Sequence, residues 1–297
     1  MNYAEIFEIM ISETQKYLEN NHLQAMILGI SGGLDSTVTA AICHEVEKRN
    51  PELRFIGVSL PCSSNSDDEN NSAKACMKAF CKEGQYWTEN LQKEFLFMRA
   101  SFSQRHSPTT IGLGNIKARL RMIYLYDLAN YAKGLVMDTD NLTEHYLGFF
   151  TIHGDVCDFN PIGGLWKHEV YELAQYLYDY EYTTYQDKQI KDALGSALQI
   201  RPTDGNGVND LGDMGQIAPA FANDKNIDAY EKVDVIIKTY LYAITQFTDE
   251  YDAAIEALYD EFDKDTVDGI IRRIKSTEYK RKGLPIVIDR NKYEHLL

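Results

Sequence analysis

The chain has 297 residues, 44% of them hydrophobic and 25% charged, an ordinary globular composition with room for one large α/β domain or two small ones. A formal net charge of −15 argues against a protein that coats phosphate backbones, because nucleic-acid binders present a basic face. Five cysteines without a C-x-x-C pair fit neither a disulfide framework nor a zinc site, so reduced thiols and a cytoplasmic location are expected. The N-terminus lacks the basic start and apolar core of a signal peptide, and no stretch approaches the ~18 apolar residues of a membrane span.

The periodicity predicts a helix over Tyr3 to Asn20, then alternating units: strand Ala25 to Ile30, helix Ser36 to Arg49, strand Arg54 to Pro61, helix Asn65 to Cys81. A short strand in "GQYWTE" and a helix over Leu91 to Phe102 extend the series. "SFSQRHSPTTIGLG" reads as a loop, followed by a helix that Asn115 caps and whose Ile116, Leu120, Ile123, Leu128 and Tyr131 fall near one face. "GLVMD" (Gly134 to Asp138) is the last core strand. Alternation of this kind implies a doubly wound, mainly parallel sheet with helices on both faces, and Thr139 to Glu144 lie just past a strand end, where such sheets bind ligands. Beyond it, "FFTIHGDVCDFNPIGG" reads as loop, "LWKHEVYELAQYLYDY" as helix and "RPTDGNGVNDLGDMGQIAP" as loop, with helices over Ile227 to Phe247 and Asp249 to Phe262. No repeat and no linker stands out, so one domain, 1–297, with a helical C-terminal subregion is expected. The tail "IIRRIKSTEYKRKGLP" concentrates six basic residues in an acidic chain.

Between the first strand and its helix stands "GISGGLDST". Adjacent glycines at a strand end let the backbone turn tightly and aim N–H groups at an anion beside a helix N-terminus. The pattern is neither G-x-x-x-x-G-K-[ST] nor G-x-G-x-x-G. "SGGLDS" (Ser31 to Ser36) resembles the pyrophosphate-binding loop of the N-type ATP pyrophosphatases, which implies the adenine nucleotide alpha-hydrolase-like fold. "GNIKARLRM", "DTDNLTEHYLGFFTIHGDVCDFNPIGGLWKHEV" and "STEYKRKGLP" look like the NAD synthetase family in order and spacing, so the resemblance runs from about residue 25 to 285.

That resemblance implies a C–N ligase that joins ammonia to deamido-NAD through an adenylated carboxylate, releasing AMP and pyrophosphate, with ATP as co-substrate and Mg²⁺ as cofactor. It implies ATP contacts at Gly29, Ile30, Ser31, Gly32, Gly33, Leu34, Asp35, Ser36, Thr139, Lys167 and Thr203, and metal ligation by Asp35 and Glu144. A carboxylate beside three phosphates is repelled unless a cation intervenes, which agrees with that use of Asp35. Asp35, Lys167 and Asp158 are the expected catalytic residues. Deamido-NAD contacts fall on Arg119, Ile152, Asp158, Tyr279 and Lys280, and the basic tail is expected to fold over the anionic substrate and exclude water.

The chain departs from the family pattern in four places: Ile152 stands where many members carry lysine, "GDVCD" is one residue shorter than G-D-G-G-x-D, Tyr279 replaces the usual histidine, and P-T-A-D reads P-T-D-G around Thr203. His153 is a candidate replacement for the missing lysine, and Cys157 in the same loop is a weaker candidate nucleophile. The family implies a homodimer, and the length implies no separate glutaminase domain. Two other readings stay open: another ATP pyrophosphatase such as an amide ligase or tRNA-modifying enzyme, and a non-catalytic ATP-binding sensor.

Overall fold

The computed structural model describes residues 1–62, 67–200, 219–245 and 248–283. Four strands, β1 (Ala25–Gly29), β2 (Arg54–Ser59), β3 (Tyr86–Thr88) and β4 (Gly134–Met137), form a sheet in the order β3-β2-β1-β4, with every pair parallel. The chain winds from β1 outward to β3 and then returns to the other side of β1. This reversal opens a crevice at the C-terminal ends of β1 and β4, the position where open α/β sheets take ligands.

Burial on both faces explains the apolar runs. Met26 and Leu28 of β1 point into the larger core with Phe55, Leu135 and Met137, while Ala25 and Ile27 point into the smaller one with Ile56, Val58 and Val136. α1 (Tyr3–Asn20), α2 (Leu34–Arg49) and α3 (Asp67–Phe80) cover the first face, and α5 (Thr110–Ala132) covers the second with α4 (Gln92–Ser103) packed against it. α2 is buried nearly all round, including Val38, Ala41, Ile42 and Val46 at 0% exposure. α6 (Leu142–Leu147) follows β4 directly. α7 (Lys167–Tyr176), α8 (Lys188–Gln199), α9 (Asn226–Ala243), α10 (Thr248–Glu261) and α11 (Lys264–Ser276) follow, and the larger core joins residues of α1 to α3 and α6 to α11.

Three expectations change. α5 begins at Thr110 rather than Asn115, because the Thr109 hydroxyl oxygen accepts from the Gly112 N–H at 3.0 Å and caps the helix one turn earlier. Its buried face is Ala118, Leu125, Ala129 and Ala132, whereas Ile123 and Tyr131 are exposed. α5 lies so close to β1 that a Cβ on Gly29 would stand 3.1 Å from a Leu125 methyl. α8 and α11 are helices where no helix was expected. Both bury residues at i, i+3, i+4 and i+7: Ile190, Ala193, Leu194 and Ala197 in one, Val267, Ile270, Ile271 and Ile274 in the other. The start of the helix expected from Asn65 and the expected loop over residues 201–218, Thr203 included, lie outside the described residues.

Candidate active site

The turn after β1 requires glycine at position 32. Gly32 has φ of 86°, and a Cβ there would lie 2.5 Å from the Ala73 N and 2.9 Å from the Glu69 O, so both conformation and space demand glycine. The Ser72 hydroxyl donates to the Gly32 O at 2.8 Å and holds the turn against α3. Gly33 is the N-cap residue of α2 and supplies no side-chain cap, which leaves the helix start to an anion. The hydroxyls of Ser31 and Ser36 lie 3.1 Å apart across the turn.

Asp35, in the first turn of α2, meets α6 and α7 here. The fully buried Asn141 caps α6, and its Nδ2 donates both to Asp35 Oδ1 at 3.0 Å and to Glu144 Oε2 at 2.7 Å. Lys167, the first residue of α7 and 1% exposed, donates its ammonium to Asp35 Oδ2 and lies 4.0 Å from Glu144 Oε1. Burial opposes the lysine's charge, but the carboxylates of Asp35 and Glu144 outweigh it and raise its pKa. Two hard oxygen donors from different helices thus converge beside the glycine turn. This donor set suits Mg²⁺, which is held by one or two carboxylates together with water and phosphate oxygens. Among the described residues, no group of three or more metal-ligating side chains forms.

A cleft of about 510 Å³ opens at the strand ends, lined on the turn side by Gly29, Ile30, Ser31, Thr139 and Glu144. Leu34, Asp35 and Lys167 do not line it. On the far side, Arg121, Arg273 and Lys280 bring positive charge. Lys280 Nζ donates to the Gly148 and Phe150 carbonyls at 2.7 and 2.6 Å, and burial, followed by the charge of Arg273, lowers its pKa.

Several residues expected at the dinucleotide end stand elsewhere. Asp158 does not line the cleft: one carboxylate oxygen accepts from the Val136 N–H and the other from the Tyr126 hydroxyl, each at 2.9 Å, fastening the loop along β4. The loop acid that does line it is Asp155, which also accepts from the Thr151 N–H at 2.8 Å. Arg119 is exposed, with its guanidinium on the Ile152 carbonyl at 3.1 Å, and the cleft arginine of α5 is Arg121, two residues on. Ile152, His153 and Tyr279 line no part of the cleft, and His153 and Tyr279 are exposed. Cys157 lines it, but burial and then four nearby aspartates push its thiol pKa well up, which makes a poor nucleophile.

The sequence reading passes over Asn141 and Asp140 as site residues and takes Asn115 only as a helix cap. The signal for Asn141 was there: N-x-x-E before an apolar position is a capping pattern, and the cap places its amide between the two acids. Asp140 lines the cleft and carries a pKa well above the carboxylate range, from burial and then the charges of Asp138, Glu144, Asp155 and Asp35. Asn115, instead of capping α5, accepts from the Thr151 hydroxyl at 3.0 Å within the cleft wall.

The fold has counterparts among known proteins. The family model described as NAD synthase matches residues 6–183. The NH₃-dependent NAD⁺ synthetase of Campylobacter jejuni is 34% identical over 182 residues, covering 60% of this chain and 69% of that protein. The Fusobacterium nucleatum protein of the same name is 27% identical over 291 residues, 97% of this chain and 96% of its own length. Among solved structures, the C. jejuni NH₃-dependent NAD synthetase in complex with nitrate superposes with a TM-score of 0.66 at 25% identity, covering 97% of this chain and 100% of that one. An NMN synthetase from Francisella tularensis shares the fold at a TM-score of 0.71 and 21% identity, covering 97% and 99%. With its glycine turn, its crevice at the strand reversal and a family match over more than half its length, the chain belongs to the NAD synthase family.

Proposed function

We infer that the protein is an ammonia-dependent NAD synthetase, a C–N ligase that converts deamido-NAD to NAD with cleavage of ATP to AMP and pyrophosphate. The observation that carries this reading is the meeting of Asp35, Asn141, Glu144 and Lys167 beside the uncapped start of α2. The similarity to NH₃-dependent synthetases over nearly the whole chain supports ammonia as the nitrogen donor.

A carboxylate is a poor acyl donor, so its activation comes first. The nicotinate carboxylate attacks the α-phosphorus of ATP and pyrophosphate leaves; ammonia then attacks the acyl carbon, AMP leaves and a proton is lost. The Ser31–Ser36 turn and the N–H groups of α2 would hold the β,γ-phosphates, with Thr139 on the adjoining strand end. Asp35 and Glu144 would hold Mg²⁺, which when bound supplies positive charge to the triphosphate oxygens. Lys167 would exchange part of its contact with Asp35 for phosphate oxygens, meeting the charge that develops at the attacked phosphorus. Arg121, Asp155 and Lys280 would face the dinucleotide, where Arg119 and Asp158 were expected.

The same reading covers a single folded unit, a cytoplasmic location and a homodimer. No helix among the described residues is long and apolar enough to cross a membrane. Phe97 of α4 and Ile123 of α5 are large apolar side chains left exposed on neighbouring helices, which a second copy would cover.

Incubation of the purified protein with ATP, MgCl₂ and deamido-NAD, with ammonium or glutamine, tests the function directly. NAD and AMP are expected in equal amounts with ammonium and little NAD with glutamine. ATP cleavage without NAD would transfer the site to another ligase chemistry, and ATP binding without cleavage to a sensor.

A further inference from the structure

α9 lies outside the segment that the family model matches, yet it underlies Lys167. Its Asp234 is 0% exposed and uses both carboxylate oxygens on other elements. Oδ1 accepts from the Thr143 hydroxyl, and Oδ2 accepts from the backbone N–H of His168 at 3.0 Å. His168 Nδ1 lies 2.8 Å from the same Oδ2; a carboxylate oxygen only accepts, so the ring carries a proton on Nδ1. The Thr143 hydroxyl oxygen in turn accepts from the Lys167 N–H at 2.9 Å. The first two N–H groups of α7 are therefore held by one chain of contacts that ends on α9. One turn before Asp234, Tyr230 places its ring centroid 5.6 Å from Lys167 Nζ.

A helix start carries unpaired N–H donors and a positive dipole end, and a buried carboxylate there fixes the helix against its neighbours. Thr143 is also the residue next to Glu144 on α6. The same carboxylate thus holds the His168 N–H directly and, through the Thr143 hydroxyl, both the Lys167 N–H on α7 and the side chain next to Glu144 on α6. We propose that Asp234, acting through Thr143 and His168, is the positioning residue that sets Lys167 and Glu144 against the glycine turn. The proposal rests on the reading of Lys167 as a phosphate-binding lysine. A long side chain reaches its target only as accurately as its backbone is placed, and small displacements at a reacting centre are costly.

The test compares Asp234→Asn, Thr143→Val, Thr143→Ser and the Asp234→Asn/Thr143→Val double variant by NAD-forming turnover, by ATP affinity in calorimetry and by thermal melting. Asp234→Asn and Thr143→Val are each expected to lower kcat ~10–100-fold while KM for deamido-NAD moves less than ~3-fold. ATP affinity should fall ~5–10-fold in both, and Thr143→Ser should return kcat to within ~3-fold of the parent. Because the two residues are links of one chain, the double variant should lose no more than the worse single one. Losses that multiply, or melts that fall while kcat per folded site and ATP affinity hold, would overturn the proposal. If Asp234→Asn does not fold, the valine and serine variants of Thr143 decide alone: loss with valine and recovery with serine uphold it, and equal behaviour overturns it. If the parent protein forms no NAD, the functional reading fails by itself, and the order of ATP affinities still decides the positioning.

Discussion

Gly32 and Asp140 show how single residues trade stability for a site. Gly32→Ala forces a left-handed φ on a side chain and a contact of 2.5 Å with the Ala73 N, so it should cost ~2 kcal/mol or more and weaken ATP binding. A variant that melts and binds ATP like the parent would mean that the turn adopts another conformation. Asp140 is pushed up by burial and by four neighbouring carboxylates. Its folded-state pKa exceeds its unfolded one, so ionising it opposes folding; the cost is absent at low pH and complete above the raised value. Asp140→Asn should therefore raise Tm by ~2–4 °C at pH 8, about 1 kcal/mol for a chain of this size, and by less at pH 5. An equal shift at both pH values would remove ionisation as the cause.

Among the elements, α6 is the most dependent on its surroundings. It spans only six residues, and cations from the C-terminal segment cap the carbonyls around its end: Arg273 on Leu147, Arg281 on Tyr146, and Lys280 on Gly148 and Phe150. The basic tail thus reaches the cleft wall by holding backbone, in addition to any contact with substrate. Arg281→Ala should cost ~1–2 kcal/mol and speed amide exchange across Tyr146 to Phe150; unchanged exchange there would mean that α6 holds itself. The tail's charge was evident in the sequence, whereas its apolar residues were hidden. In α11, Val267, Ile270, Ile271 and Ile274 are interleaved with Arg272, Arg273 and Lys275, so the stretch reads as solvated unless the 3.6-residue spacing is counted. In the glycine-rich approach to α5, the Thr109 cap outweighs the poor propensity of Gly112 and Gly114.

At the scale of the whole molecule, the proposed pairing of two copies follows from what the fold leaves outside. Phe97 and Ile123 are 74% and 61% exposed on neighbouring helices, and exposed apolar side chains of that size would be covered in a dimer. Ile123→Glu should convert a dimer to monomers in analytical ultracentrifugation with little change in melting at low concentration. A parent protein that sediments as a monomer at tens of micromolar would remove the dimer from the reading.

The sequence by itself determined the parts whose causes are local. A strand buried on both faces, a turn that needs glycine and a helix that starts with an acid occupy one continuous stretch, Ala25 to Arg49, and their order implies the parallel sheet and its crevice. Only the tertiary structure decided which of two near neighbours faces the cleft. Arg119 and Arg121 are two residues apart on a helix and so point to nearly opposite sides, and the phase of α5 against β1 is set by packing. Asp155 and Asp158 share one loop, and Asp158 is drawn away because β4 has an N–H to satisfy at Val136. Asp234 lies 91 residues from Thr143; no local pattern announces such a contact, because it exists only once α9 is folded beneath α6 and α7.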